Sequence, residues 1–262
     1  MKSIAWTAGL LASLFLTPAA HAQDSQTVRV YGVSQDFSDN FGSLRSAVIE
    51  YKAVLDDTTL VASPTVGERR APGVRYSSVG GGAAVYERWS DKVSTSTQAF
   101  VAEDQPIFAN LDFSQDITVA VAKGTTVTIG GRWARYFGGT EVTFLSVGAR
   151  RYFKGGSIAY RLTRTDPQGR DAFLSHLVNL TLNDRRGGGK TQLWLGAGSA
   201  SLERTQLEAN FTEHDLSGLL QRTQPLTGKL ALIGSAGVSR YARPGNDVTS
   251  TTIGLGLQLG LN

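Results

Sequence analysis

Two histidines lie beyond the first 22 residues, and each adjoins a residue it could act with: His176 follows Ser175, and His214 precedes Asp215. A serine and a histidine brought together would give a nucleophile and its general base, the pair that attacks a lipid ester. Here the residues are chain neighbours within alternating, strand-like runs, and neighbours on a strand point to opposite faces. Neither pair can therefore form. Asp112 and Asp116 do share a face, but four residues along a strand is roughly 13 Å, too far for an acid dyad. The chain has no cysteine, so it has no thiolate chemistry and no disulfide. The glycine-rich stretches at 80–84 and 254–260 precede no helix, as a phosphate loop would. No catalytic residue, cofactor or metal is expected.

A second group of reactive side chains shares one face of the alternating runs. It comprises Glu50 and Lys52 on one segment, Asp112 and Asp116 on another, Arg132 on the next, and Arg150 and Arg161 on two more. One reading is a polar lumen that selects a solute by charge. The other is a set of salt bridges filling a narrow interior, and it is favoured for any single pair because small barrels pack their interiors with side chains. Aromatic residues near segment ends, Trp89, Trp133, Phe137, Phe153 and Tyr241, read as an interfacial girdle. Tyr136 and Tyr152, on the polar face, are alternatives for stacking against sugar rings.

The elements that must position these residues are strands. Between Ile117 and Phe137, Ile117, Val119 and Val121 alternate with small or polar residues. A Lys123-Gly124 turn follows, and Val127, Ile129, Gly131 and Trp133 then alternate with Thr126, Thr128, Gly130 and Arg132. The period is two on both arms, which defines a hairpin with one apolar face. The pattern recurs along the chain and predicts an all-β, antiparallel up-and-down transmembrane barrel of about 14 strands, or 12 if the segments at 58–68 and 211–223 are not strands. Pro64 cannot donate to a ladder, so a bulge or an early strand end is expected there. Arg69 to Gly73 reads as a loop, 104–108 as a polar loop, and 201–210 as the longest loop. Short turns rich in glycine or basic residues fall on every second join, as periplasmic turns would. The first and last strands must pair, because an open sheet edge is excluded from hydrocarbon.

Bulk properties agree. Residues 1–22 resemble a secretory signal: Lys2, the apolar run Leu10 to Leu16 and a small-residue site at Ala20-His21-Ala22. Residues 23–262 would then be the barrel, a length that suits one all-β domain. Charged residues are 18% of the chain, against about 25% in a soluble domain. The net charge of +4 is too small and too evenly spread to argue for nucleic acid.

The stretch RWARYFGGTEVTFLSVGARRYF at Arg132 to Phe153, with GGSIAYRLTRT after it and VYERWSDK before it, resembles the YaiO-type outer-membrane β-barrel family. The resemblance covers the chain from about Val28 and is strongest from Val74 to Thr165. It implies a cell outer-membrane location in a family of poorly defined role; the first reading is a non-enzymatic pore or component of an export route, with polysaccharide as a candidate cargo. A structural or surface-binding barrel with a plugged lumen is the alternative, and an outer-membrane lipid hydrolase a more distant one. The partners implied are outer-membrane lipid, the barrel-assembly machinery and periplasmic export components. Some family members carry helical repeats ahead of the barrel, and none fits between Gln23 and Val28. The chain ends Leu261-Asn262 where such barrels usually end in an aromatic residue, a departure from the standard insertion signal that leaves the alternation of the last strand intact.

Overall fold

Each alternating run forms a strand, and each strand finds its partner in the run that follows it. The computed structural model describes residues 25–185, 188–198, 215–241 and 247–261. Within them lie β1 (Ser25–Phe37), β2 (Ser43–Leu55), β3 (Thr58–Ala71), β4 (Val74–Arg88), β5 (Val93–Ala102), β6 (Leu111–Ala122) and β7 (Thr125–Arg135). They are followed by β8 (Glu141–Phe153), β9 (Gly156–Pro167), β10 (Phe173–Asn183), β11 (Lys190–Gly198), β12 (Asp215–Pro225), β13 (Leu230–Tyr241) and β14 (Val248–Gly260). Consecutive strands pair antiparallel, and β1 pairs with β14, so the sheet is a closed barrel of 14 strands. The signal-like residues 1–22, the 201–210 segment and His214 lie outside the described residues.

The outer wall is apolar. Ile129, Leu145, Ile253 and Leu255 are 62–66% exposed, and aliphatic side chains on the other strands share that face. A band of this size would be a liability in water and is what a hydrocarbon solvent requires. The inner wall carries the small, polar and charged half of each alternation. At one end of the barrel stand both termini of the sheet and the tight turns 56–57, 123–124 and 154–155. These turns need a left-handed residue, supplied at Gly124 (φ 68) and Gly155 (φ 88). We call this the turn end. The opposite, loop end carries the segments 103–110 and 168–172.

Three expectations are corrected. β3 does not bulge or stop at Pro64. Its register to β2 is unchanged on either side, from Val48 opposite Thr65 to Tyr51 opposite Ala62, and the ladder lapses only between them. On its other edge Pro64 stands opposite Gly81, so the missing donor removes part of one ladder and leaves the strand intact. Arg69, Arg70 and Ala71 are strand, leaving a turn of only two residues at 72–73. The reason is that Arg69 is fully buried: its guanidinium lies 4.4 Å from the centre of the Phe37 ring and donates to the Phe41 carbonyl at 2.6 Å. Finally, the 103–110 segment is not a polar surface loop, as described below.

Replacing Ile129 with arginine should lower the stability of the barrel by about 2–4 kcal/mol, the cost of a cation near the bilayer midplane. Guanidinium titration of the protein folded into lipid vesicles would measure it. A loss below about 1 kcal/mol would contradict a lipid-facing outer wall.

Candidate functional site

The interior is graded from end to end. At the loop end it holds two apolar clusters, set among buried polar side chains such as Gln35, Arg69 and Ser250. The segment joining β5 to β6 folds inward, and Pro106, Ile107, Phe108 and Ala109 are all buried. Ile107 and Phe108 pack with Leu44, flanked by Phe37, Tyr76, Phe100 and Ala102. Ala109 continues into a second cluster with Ala134, Tyr136, Val142 and Phe144. The segment is also tied by its backbone. Ala102 N–H donates to the Asn110 carbonyl at 3.0 Å, and Asn110 N–H donates to the Arg135 carbonyl at 2.8 Å. Gly67 makes the space, since a Cβ there would strike Ile107 and the Phe108 ring. Burying Ile107 and Phe108 contributes roughly 1.5–3 kcal/mol each.

Tyr241 belongs to this end and not to a girdle. It is buried and faces inward, where Gln35 Nε2 donates to its hydroxyl at 3.2 Å and to Ser250 Oγ at 2.8 Å. Trp89, just past β4, Phe137, in the β7–β8 turn, and Phe153, at the end of β8, are exposed. Trp133, on the outer wall, directs its indole N–H to Glu141 at 3.3 Å. Tyr136 is buried in the apolar cluster, which removes it as a stacking platform.

Below the apolar end the interior is charged. Arg132 donates through Nε to Asp112 at 2.8 Å, with its guanidinium 4.8 Å from the centre of the Phe144 ring. Arg161 reaches across two intervening strands to Asp116 at 2.5 Å and also bonds Ser146 Oγ at 2.7 Å. Arg29 pairs with Glu50 at 3.2 Å and donates to Gln258 at 2.7 Å. Nearer the turn end, Arg150 is buried and donates to Ser157 at 2.9 Å. Lys52 and Lys190 also face inward there, each half-buried. A cavity of about 100 Å³ lies between β4 and β9, lined by Arg88, Arg150, Arg161 and Tyr152 among others. Arg29 and Lys190 are lumen charges that inspection of the sequence passed over. Arg29 stands directly opposite Glu50 in the β1–β2 ladder, a pairing visible only once the register is known.

His176 and Ser175 project to opposite sides of β10. His176 is on the outer face, its Nδ1 2.8 Å from the Tyr160 hydroxyl, while Ser175 is buried inside.

Gly130 explains how Asp116 and Arg161 meet. It lies on the inner face of β7, between the strands that carry them, and a Cβ there would overlap the Asp116 carboxylate and crowd the Arg161 guanidinium. Gly130→Ala should therefore break the pair and cost about 1–3 kcal/mol of unfolding free energy, the penalty for leaving a partly buried polar group unsatisfied. In an Asp116→Asn background the same change should cost much less, because the pair is already gone. Denaturant titration of the double-mutant cycle measures the coupling, and additive losses would overturn this role for Gly130.

The shape of the barrel recurs among solved structures. The CymD monoaromatic hydrocarbon channel is 6% identical, with a TM-score of 0.67, covering 92% of this chain and 90% of that one. The TodX deltaS2S3 mutant monoaromatic hydrocarbon channel is 8% identical, with a TM-score of 0.60, covering 92% and 91%. A bacterial polysaccharide outer membrane secretin is 7% identical, with a TM-score of 0.57, covering 90% and 98%. Identities this low establish a shared fold and nothing finer. The family model for the YaiO membrane beta barrel domain matches residues 25–202, well over half of the sequence, and the chain belongs to that family.

Proposed function

We propose that the protein is a non-enzymatic outer-membrane transport barrel, a channel or the outermost part of an export route, whose resting lumen is closed at the loop end. The infolded 103–110 segment carries this reading. It packs apolar side chains into the loop-end mouth, above an interior that carries charged side chains from several strands. The topology orients it. Short turns lie on the periplasmic side in barrels of this kind, which favours an orientation with the plug toward the cell exterior and the charged half toward the periplasm. The signal-like leader agrees with that route of secretion.

The related folds include channels named for a hydrocarbon and a secretin named for a polysaccharide. Of these two cargoes, the charged lumen favours the polysaccharide. A plugged barrel that works only through its outer surface is the second reading, favoured by the ion pairs that fill part of the interior.

Conductance separates the two. In planar bilayers the wild-type protein should give small or no conductance steps. Replacing Ile107 and Phe108 with serine removes the burial that holds the plug and should give stable steps several-fold larger. If the double variant is correctly folded, judged by heat-dependent gel mobility, and stays as closed as the wild type, the transport reading is overturned.

A further inference from the structure

The turn end of the barrel carries one cation in each of four consecutive joins: Lys123 between β6 and β7, Lys154 between β8 and β9, Arg185 between β10 and β11, and Lys229 between β12 and β13. All four are exposed, and their side chains enter no ion pair among the described residues. Arg151 adds a fifth cation. It donates through Nη1 to the Lys123 carbonyl at 2.9 Å and so ties two neighbouring joins together. Along this stretch of the rim the acid among the described residues is Asp184, and Arg222 Nη1 already donates to it at 2.8 Å. The other acids of the turn end, Asp56, Asp57, Glu87 and Asp91, lie in or beside the β2–β3 and β4–β5 joins, where Arg88 holds Asp57. The rim is thus divided. It is mixed over β2 to β5 and basic from β6 to β13.

The setting of the basic arc points to a membrane surface. Each cation follows an exposed apolar side chain within three residues: Val121 precedes Lys123, Phe153 precedes Lys154, Leu182 precedes Arg185, and Leu226 precedes Lys229. The outer wall above them faces lipid, so the cations stand where acyl chains give way to headgroups. A soluble acidic partner would have no use for the apolar side chains beside them. Successive joins at one end of the sheet are two strands apart, about 10 Å across it, which makes the arc about 30 Å long. Cations at that spacing cannot converge on one small anion, but each can meet a separate headgroup. Attraction to acidic lipid grows with each Lys or Arg near the surface.

We propose that the arc from Lys123 to Lys229 is a docking surface for acidic phospholipid, gathered around the turn end in preference to neutral lipid. This rests on the lipid-facing outer wall and not on the transport reading.

The test equilibrates the barrel in mixed micelles with equal amounts of phosphatidylglycerol and phosphatidylcholine of the same acyl chains. The lipids that stay bound are counted by native mass spectrometry. The wild type should retain phosphatidylglycerol in roughly fivefold excess, and the excess should shrink as salt rises. Lys123→Gln with Lys154→Gln and Lys229→Gln should bring the two lipids near parity, and each single change should lower the excess in part. Arg45→Gln with Arg135→Gln and Arg164→Gln removes the same charge at the loop end and should leave most of the excess in place. Heat-dependent gel mobility confirms that the variants are folded. Equal retention of the two lipids by the wild type, the result expected if the arc serves an acidic protein instead, overturns the lipid surface. So does an excess that survives the lysine changes, or one that falls equally in the two triple variants.

Discussion

Hydrocarbon cannot satisfy a backbone amide, and the closure of β1 onto β14 is the consequence on which the rest of this molecule depends. The seam runs from Thr27 opposite Gly260 to Phe37 opposite Ser250. Its last strand is built of aliphatics facing out and small residues facing in. Gly256 is needed where it stands, because a Cβ there would strike Tyr31 and the Val30 carbonyl. Side chains fasten the seam at both ends: Arg29 to Gln258 at the turn end, and Gln35 to Ser250 and Tyr241 at the loop end. Once the ring is closed, every strand has one face in lipid and one in the lumen. The period-two sequence then assigns each side chain to its solvent.

That same periodicity explains what could be read in advance. The hairpin around Lys123-Gly124, the limits of β2 and β8, and the inward placement of Asp112, Asp116, Arg132, Arg150 and Arg161 all follow from alternation alone. Alternation assigns a face but not a depth or a partner. Asp116 and Arg161 lie 45 residues apart in the chain and meet only because Gly130 leaves a gap between them. Tyr241 near a strand end looked interfacial, yet its position is on the inner face, where Gln35 and Ser250 supply its polar partners. Pro64 looked like a strand end because its own ladder bond was counted and its neighbours' were not.

The infolded segment was hidden for a different reason. Asp104-Gln105-Pro106 carries the composition of a surface turn, and Ile107-Phe108-Ala109 is too short to show a period. Nothing local distinguishes an apolar triplet that starts a strand from one that turns into a cavity. The signals were non-local: Gly67 on β3 and Gly80 on β4 are inner-face positions without side chains. They leave room for the Phe108 and Phe100 rings, respectively. Missing side chains on the receiving wall, read with a nearby apolar loop, are the trace such a plug leaves in sequence.

The energetics of wall and plug also differ in kind. Separating two strands in lipid exposes rows of backbone groups, each costing several kcal/mol, so the wall has no low-energy open state. The plug is held by three backbone ties to the wall and by the burial of Ile107 and Phe108, the two side chains contributing roughly 3–6 kcal/mol. Shifting a two-state equilibrium from mostly closed to mostly open takes about 5.5 kcal/mol of differential binding. The two quantities are of the same size. A cargo that gains that much from the open lumen can displace the plug, and none can part the wall. If this barrel opens, the change therefore belongs to residues 103–110, with the sheet acting as a fixed frame.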